Sequence, residues 1–369
     1  MSCQPRLGTQ RRGHQGLLWG RDTDLGPDGP TAPGGVRRKR PIPSQAMPQP
    51  RNLDEVLLRL KELGSALDDP DTEAELREII CSKHSHAIAK AAALAERAQL
   101  HELIPDLVTA FGKMLKDPIK SDPGCNAKEA IADALQALNA DEGELFLLGA
   151  AHVQLEPVYG GRQDTAAGLR GAAARGLVRM NHPDALTVAA ELLADPELPA
   201  RIAGARAIGY YRGEPALPVL RLKVLAGDAE SNVIGECLLA MMQISVERSL
   251  PFVERLLGGD DSALAEAAAL ALGESRALEA LPPLTQWWKR TVDPNLSRTG
   301  LFAIAMLRRD EAIAFLLDLV KNEPGPIARD AIRAFEVYRS DARTIEHLRN
   351  TLGARTDLDL LPFFEEELG

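Results

Sequence analysis

The sequence predicts an all-α fold, a solenoid of stacked helical hairpins, and three observations carry that expectation. An Ala-Leu-Pro unit or a close relative recurs at Ala216-Leu217-Pro218, Ser249-Leu250-Pro251 and Ala280-Leu281-Pro282, and with Leu186, Ile313 and Ile345 its apolar centre steps by 31, 33, 31, 32 and 32 residues. A second register, Leu177, Ile208, Leu239, Leu272, Ala305 and Glu336, runs in parallel with steps of 31, 31, 33, 33 and 31. Such a period is too long for a heptad and too short for a domain, so it marks a repeated two-helix unit. The composition of the two helices also alternates. First helices are rich in small residues (Ala172-Ala173-Ala174, Ala203-Gly204-Ala205, Ala267-Ala268-Ala269), whereas second helices carry larger ones (Leu192-Leu193, Leu256-Leu257, Leu319-Val320). Small residues let layers approach closely, larger ones fill the space between them, and alanine has the best helix propensity.

Along the chain, residues 1–50 hold eight Gly, eight Pro and the basic run Arg37-Arg38-Lys39-Arg40, with almost no apolar periodicity. Such a composition buries too little surface to offset chain entropy, and a disordered, basic leader is expected. The basic run reads as a solvated tail, with an address signal or anion-binding tail as the alternative, and the working protein could begin near Met47. Residues 51–84 are expected to form an N-terminal helical cap, opened by Asn52 with Glu55 and reopened by Thr72 with Glu75. Two irregular, longer units follow in 85–163, where the second-helix mark falls at Ile104, Leu145 and Leu186, in steps of 41 residues. Six regular repeats occupy 164–352. Residues 353–369 close the last repeat with a C-terminal cap and the acidic tip Glu365-Glu366-Glu367.

Charge and cysteine usage exclude several classes. Residues 1–50 carry eight basic and three acidic side chains, leaving 35 against 50 in 51–369. An acidic body lacks the sequence-independent attraction that supplies most nucleic-acid affinity, so no nucleic acid is expected unless the basic residues gather into a groove. Fifteen aromatics in 369 residues are also too few for repeated base-stacking platforms. Four separated cysteines, Cys3, Cys81, Cys125 and Cys237, make no disulfide framework and fit a cytoplasmic address. No apolar run approaches the roughly 20 residues of a membrane span, so neither membrane insertion nor export is expected.

Arg201-x-x-Gly204-Ala205-x-Ala207-Ile208-Gly209, a turn, Ala216-Leu217-Pro218, then Leu225 and Asp228, together with Ala271-Leu272-Gly273 and Ala280-Leu281-Pro282, resemble the HEAT-like repeats first described in phycobilisome lyases. The resemblance covers 164–352 strongly and 86–156 weakly. It implies an armadillo-type, right-handed α-solenoid of antiparallel helix pairs, and it leaves function open, since such repeats occur in lyases, scaffolds and assembly factors. It further implies a ladder between adjacent layers from Arg170, Arg201, Arg298 and Arg329 and from Asp195, Asp228, Asp260 and Asp293.

Among candidate functional residues, the least repeat-like segment is 152–165. His152, Glu156, Tyr159, Arg162 and Asp164, with Gly160-Gly161, read as a flexible polar loop for binding or acid/base chemistry, or as a structural insertion in which Asp164 caps the next helix. Cys81, His84, His86 and His101 match no paired zinc-ligand framework and read as an exposed helix junction capped by Ser85; no metal is expected. Cys125 precedes a helix start, where a thiol is activated unless it is buried. Adjacent Trp287 and Trp288 point about 100° apart on a helix, so either one shows ring surface or both pack partly in the core. Tyr210, Tyr211 and Arg212 form a similar group, and exposed Trp, Tyr and Arg dominate interface energetics. With second helices expected to line the concavity, Arg221, Lys223, Glu254, Arg255, Gln286, Lys289 and Arg290 join them as candidates for partner binding.

Phosphate loops, nucleophile elbows and H-E-x-x-H stretches are absent from the sequence, which names no catalytic residue and no cofactor. The leading expectation is a non-enzymatic scaffold or adaptor binding a protein or peptide on its concave surface. Its rivals are a bilin-lyase-like, cofactor-handling protein acting through 152–165, and a helical-repeat nucleic-acid enzyme. Oligomeric state is left open.

Overall fold

Apolar stripes at helical spacing, interrupted by turn residues, produce helices in nearly every segment of the computed structural model, which describes residues 53–67, 69, 71–355 and 359–368. These belong to one unit, residues 50–369. The leader of residues 1–50, its basic run, Met47 and the Asn52 cap lie outside the described residues. In chain order the helices are α1 (Leu53–Leu63) and α2 (Thr72–Ile80); α3 (Ser85–Arg97) and α4 (Ile104–Met114); a single turn, α5 (Pro118–Ser121); α6 (Asn126–Ala137) and α7 (Gly143–Ala150); α8 (Ala167–Arg179) and α9 (Ala185–Leu192); α10 (Leu198–Tyr211) and α11 (Leu217–Ala226). Then come α12 (Ser231–Ile244) and α13 (Val246–Leu257); α14 (Ser262–Glu274) and α15 (Leu281–Arg290); α16 (Pro294–Met306) and α17 (Asp310–Asn322); α18 (Gly325–Ala334) and α19 (Ala342–Gly353); and α20 (Leu360–Leu368). The fold is an all-α solenoid.

One departure from helix is β1 (Leu155–Val158) paired antiparallel with β2 (Gly161–Asp164), with Leu155 opposite Asp164 and Val158 opposite Gly161. The flexible loop expected at 152–165 is therefore a two-stranded hairpin. Tyr159 and Gly160 make its turn, and Gly160 has φ +87°. A positive φ at the second turn position is what glycine tolerates without strain.

The end of a first helix has a recurring device. Gln99, Asn139, Asn181, Arg212, Arg276 and Arg308 all have left-handed backbone (φ 51° to 56°), each just after a first helix. This is the usual reversal at a helix C-terminus, built here without glycine. Helix starts differ from expectation. Thr72 is already helical and donates its hydroxyl to the Ala66 carbonyl at 2.9 Å, and His84, not Ser85, occupies the position before α3. Asp261, Asp293 and Asp341 accept backbone N–H groups at the starts of α14, α16 and α19.

Packing between layers is one-sided. First helices pack directly on one another along the chain, α3 on α6, α6 on α8, and so on through α16, and α20 closes the end against α18 and α19. Second helices pack mainly on the first helices of their own and adjacent layers, and α9, α11, α13 and α15 barely approach one another. The small residues explain this. A Cβ added at Gly273 would lie 2.4 Å from the Ala303 carbonyl oxygen, so the backbones of α14 and α16 are in contact there. The first helices thus form one continuous face of the stack, and Arg221, Arg255 and Lys289 sit on α11, α13 and α15, on the second-helix side.

Candidate functional site

The first-helix face opens into a groove where α10, α12 and α14 run side by side. Two contiguous lobes of about 520 and 240 Å³ share Arg206, Glu236, Leu239 and Glu274. Ile202, Leu239 and Leu270 give the larger lobe its aliphatic lining, with Ser231, Asn232 and Glu266 around them. Tyr210, Ala240 and Gln243 line the smaller lobe. Tyr210 is 67 % exposed. The Arg206 guanidinium donates to Glu236 at 2.9 Å, and that bond, ahead of any other influence, raises its pKa. Thr299 of α16 donates its hydroxyl to Glu266 at 2.9 Å.

The sequence reading found one of these residues, Tyr210, and missed the rest. A signal was present. Arg206, Leu270 and Phe302 each occupy the outward slot between buried small or apolar neighbours, in Ala205-Arg206-Ala207, Ala269-Leu270-Ala271 and Leu301-Phe302-Ala303. On an Ala-rich helix packed on both flanks, that slot faces away from the neighbouring helices.

Tyr210's neighbours have other tasks. The Tyr211 ring packs against the core and closes over Gly213, and Arg212 forms the left-handed reversal. Trp287 and Trp288 are both half-buried, so both rings pack partly in the core. Trp287 lies over Gly300 of α16, which has no side chain to exclude it, while Trp288 meets Phe315 of α17 edge-on at 5.7 Å. On the second-helix side, the guanidinium groups of Arg221 and Arg255 stack at 4.3 and 5.6 Å from the Phe252 ring centre. Lys289 is exposed.

The hairpin stands on a buried polar network. Lys128 Nζ donates to Asp122 at 3.0 Å with both side chains wholly buried, and Asp122 also accepts the N–H groups of Ala127 and Lys128. Gln154 links this pair to the hairpin, donating through Nε2 to the Asp122 carbonyl and to Glu156. Glu156 accepts further bonds from Gly124 N–H and Thr165 Oγ1. Asp164 accepts the N–H groups of Gln154 and Ala166, and Arg170 NH1 donates to it at 2.7 Å. Burial works against ionising Glu156 and Asp164, but these donors outweigh it and hold both below the usual carboxylate range. Burial lowers the pKa of His152, whose ring meets the Gln154 side-chain oxygen at 3.3 Å. The polar groups that suggested acid/base chemistry are thus bonded to one another. At the other end Tyr159 is fully exposed, and Arg162 lies on the exposed second strand.

The expected ladder is partly different. Arg170 joins Asp164 to Asp195 (2.7 and 2.8 Å), and Arg201 pairs with Asp228 (2.9 Å). Further along, Arg298 pairs with Asp330 and Arg329 with Asp359. Asp293 caps α16 instead of pairing with an arginine. Burial opposes ionisation of Asp228, yet the Lys223 ammonium, the Glu230 N–H and Arg201 hold it at about 2. Cys125 is wholly buried in left-handed backbone, and burial pushes its thiol up to about 12, so the helix start does not activate it. Cys81 is exposed, and no group of three or more His, Cys, Asp or Glu among the described residues could hold a metal ion. None of the described helices is long and apolar enough to cross a membrane.

Residues 249–336, which run from α13 to the end of α18, match the family model for HEAT repeats. These residues form HEAT-like repeats. A chain in a homology model of the full-length AP-3 complex in an intermediate open conformation is similar in fold, with 15 % identity, 84 % of this chain covered and a TM-score of 0.53. The repeat chain spans 59 % of the length of that AP-3 chain. The complex of CpcE and CpcF of phycocyanin lyase from Nostoc sp. PCC7120 matches at 16 % identity over 62 % of this chain and 88 % of the other, with a TM-score of 0.33. An engineered protein matches at 18 % identity over 84 % and 92 %, with a TM-score of 0.36. No curated protein matches the chain.

Proposed function

We propose that this HEAT-like repeat protein is a non-enzymatic scaffold or adaptor that binds a protein or peptide in the first-helix groove between α10, α12 and α14. The observation that carries the reading is the groove itself: an aliphatic lining with polar groups on its walls and an exposed tyrosine at one end, on a surface made continuous by the direct stacking of first helices. Solenoids present extended surfaces of this kind to partners, and a half-apolar cleft with a few placed polar groups suits side-chain recognition. A cytoplasmic address, in keeping with unpaired cysteines, belongs to the same proposal.

Capture from native extract with wild-type, Tyr210→Ala and Leu270→Arg baits tests it. Partners retained by wild type are expected to be depleted with both variants, while the helical circular dichroism signal and Tm stay near wild type. Equal capture by all three baits would move the binding surface elsewhere.

A further inference from the structure

The groove also carries a charge preference, and this step rests on the reading of the groove as a protein-binding site. Three carboxylates face it, Glu236, Glu266 and Glu274, and the one basic side chain lining it, Arg206, is already bonded to Glu236. Glu266 has a hydroxyl partner in Thr299, while Glu274, whose charge also acts on Arg206, lines both lobes of the groove. Beneath these groups lies the aliphatic surface of Leu239 and Leu270. We infer that the groove accepts a protein segment bearing a lysine or arginine between aliphatic residues, with the cationic head among the glutamates and the flanking side chains on the leucines.

Physical complementarity decides against the alternatives. An apolar or acidic segment seated here would strip water from carboxylates without giving them a partner, which is costly. A cation supplies charge-assisted hydrogen bonds to the same oxygens. Lys and Arg also carry apolar stems that can lie along the aliphatic surface while the head reaches the carboxylates. The volume of the larger lobe, about 520 Å³, accommodates side chains of this size.

The test uses the full chain and a short fluorescein-labelled peptide of leucine, alanine and lysine, with an analogue in which glutamate replaces each lysine, read by fluorescence anisotropy. The lysine peptide is expected to bind at least roughly tenfold more tightly than its glutamate analogue, and less tightly as salt rises. Replacing the groove carboxylates together (E236Q, E266Q, E274Q) is expected to weaken it by roughly tenfold or more. Removing the same number of exposed charges from the second-helix side (E247Q, E254Q, E279Q) is expected to change it less than about twofold. If the second-helix variant loses as much as the groove variant, the attraction belongs to the acidic body at large and the inference is overturned. If both peptides bind equally and Leu270→Arg abolishes both, the groove reading survives and the cation preference falls. If Leu270→Arg leaves lysine-peptide binding intact, both are lost.

Discussion

The hairpin base and the first-helix groove both gather polar side chains in this Ala- and Leu-rich stack, and they use them in opposite ways. At the hairpin base Asp122, Lys128, Gln154, Glu156, Asp164 and Arg170 are bonded to each other and to backbone, with Lys128 and Asp122 shut off from water altogether. In the groove, Glu274 and Tyr210 face open volume. The lesson is that polar density does not identify a site. Satisfied, buried groups fix where a segment sits, while groups left facing a cavity are available to something else.

The comparison can be broken most directly at its buried end. Lys128→Met leaves the Asp122 carboxylate buried beside an apolar neighbour, and a loss of about 3–5 kcal/mol is expected by chemical denaturation. A loss of less than about 1 kcal/mol would mean the network does not hold the hairpin in place. Gly273→Val tests the close layering of the first helices. Its side chain would meet the Ala303 carbonyl, and overpacking of this kind costs about 1–3 kcal/mol.

Acid titration sharpens the role of the ladder. Asp228 sits at about 2 when folded against an ordinary 3.8, so its stabilisation is fully present above the unfolded value and is lost as pH falls through the folded one. The loss between about pH 4 and pH 2 is on the order of 2 kcal/mol, and Asp228→Asn is expected to flatten that part of the stability curve. A variant that follows the wild-type curve would remove Asp228 from the account. At the exposed end the effects on stability are smallest. Tyr159→Ala and Glu274→Gln are each expected to shift stability by less than about 0.5 kcal/mol, and a larger loss at Glu274 would turn the groove into another structural network. Thiol labelling at neutral pH gives a last, qualitative check. Cys81 is expected to react while Cys125, buried and with its thiol pushed up to about 12, stays protected until unfolding.

Much of the fold was legible because its information is local. Alternation of small and large residues at a fixed interval marks helices that cannot cover their apolar faces alone, and the recurring mark Leu186, Leu217, Leu250, Leu281, Ile313 and Ile345 falls in α9, α11, α13, α15, α17 and α19. The hairpin was not legible. Leu155 to Asp164 contains a proline and a glycine pair, its strands are four residues each, and its position depends on Asp122 and Gly124, about thirty residues earlier in the chain. The groove was legible only in part, through Tyr210. Its other walls are single side chains in the outward slots of three different helices, and sequence order does not reveal that Arg206, Glu236, Leu270 and Glu274 meet.

By itself, the sequence determined that helices would form, that they would pair, and that small residues would let one set of them approach closely, since periodicity and side-chain size act over a few residues. Tertiary structure decided where the groove opens and which polar groups were bonded away. Both depend on how layers far apart in the chain come together, and the closeness of two backbones, as at Gly273 and Ala303, exists only once they have done so.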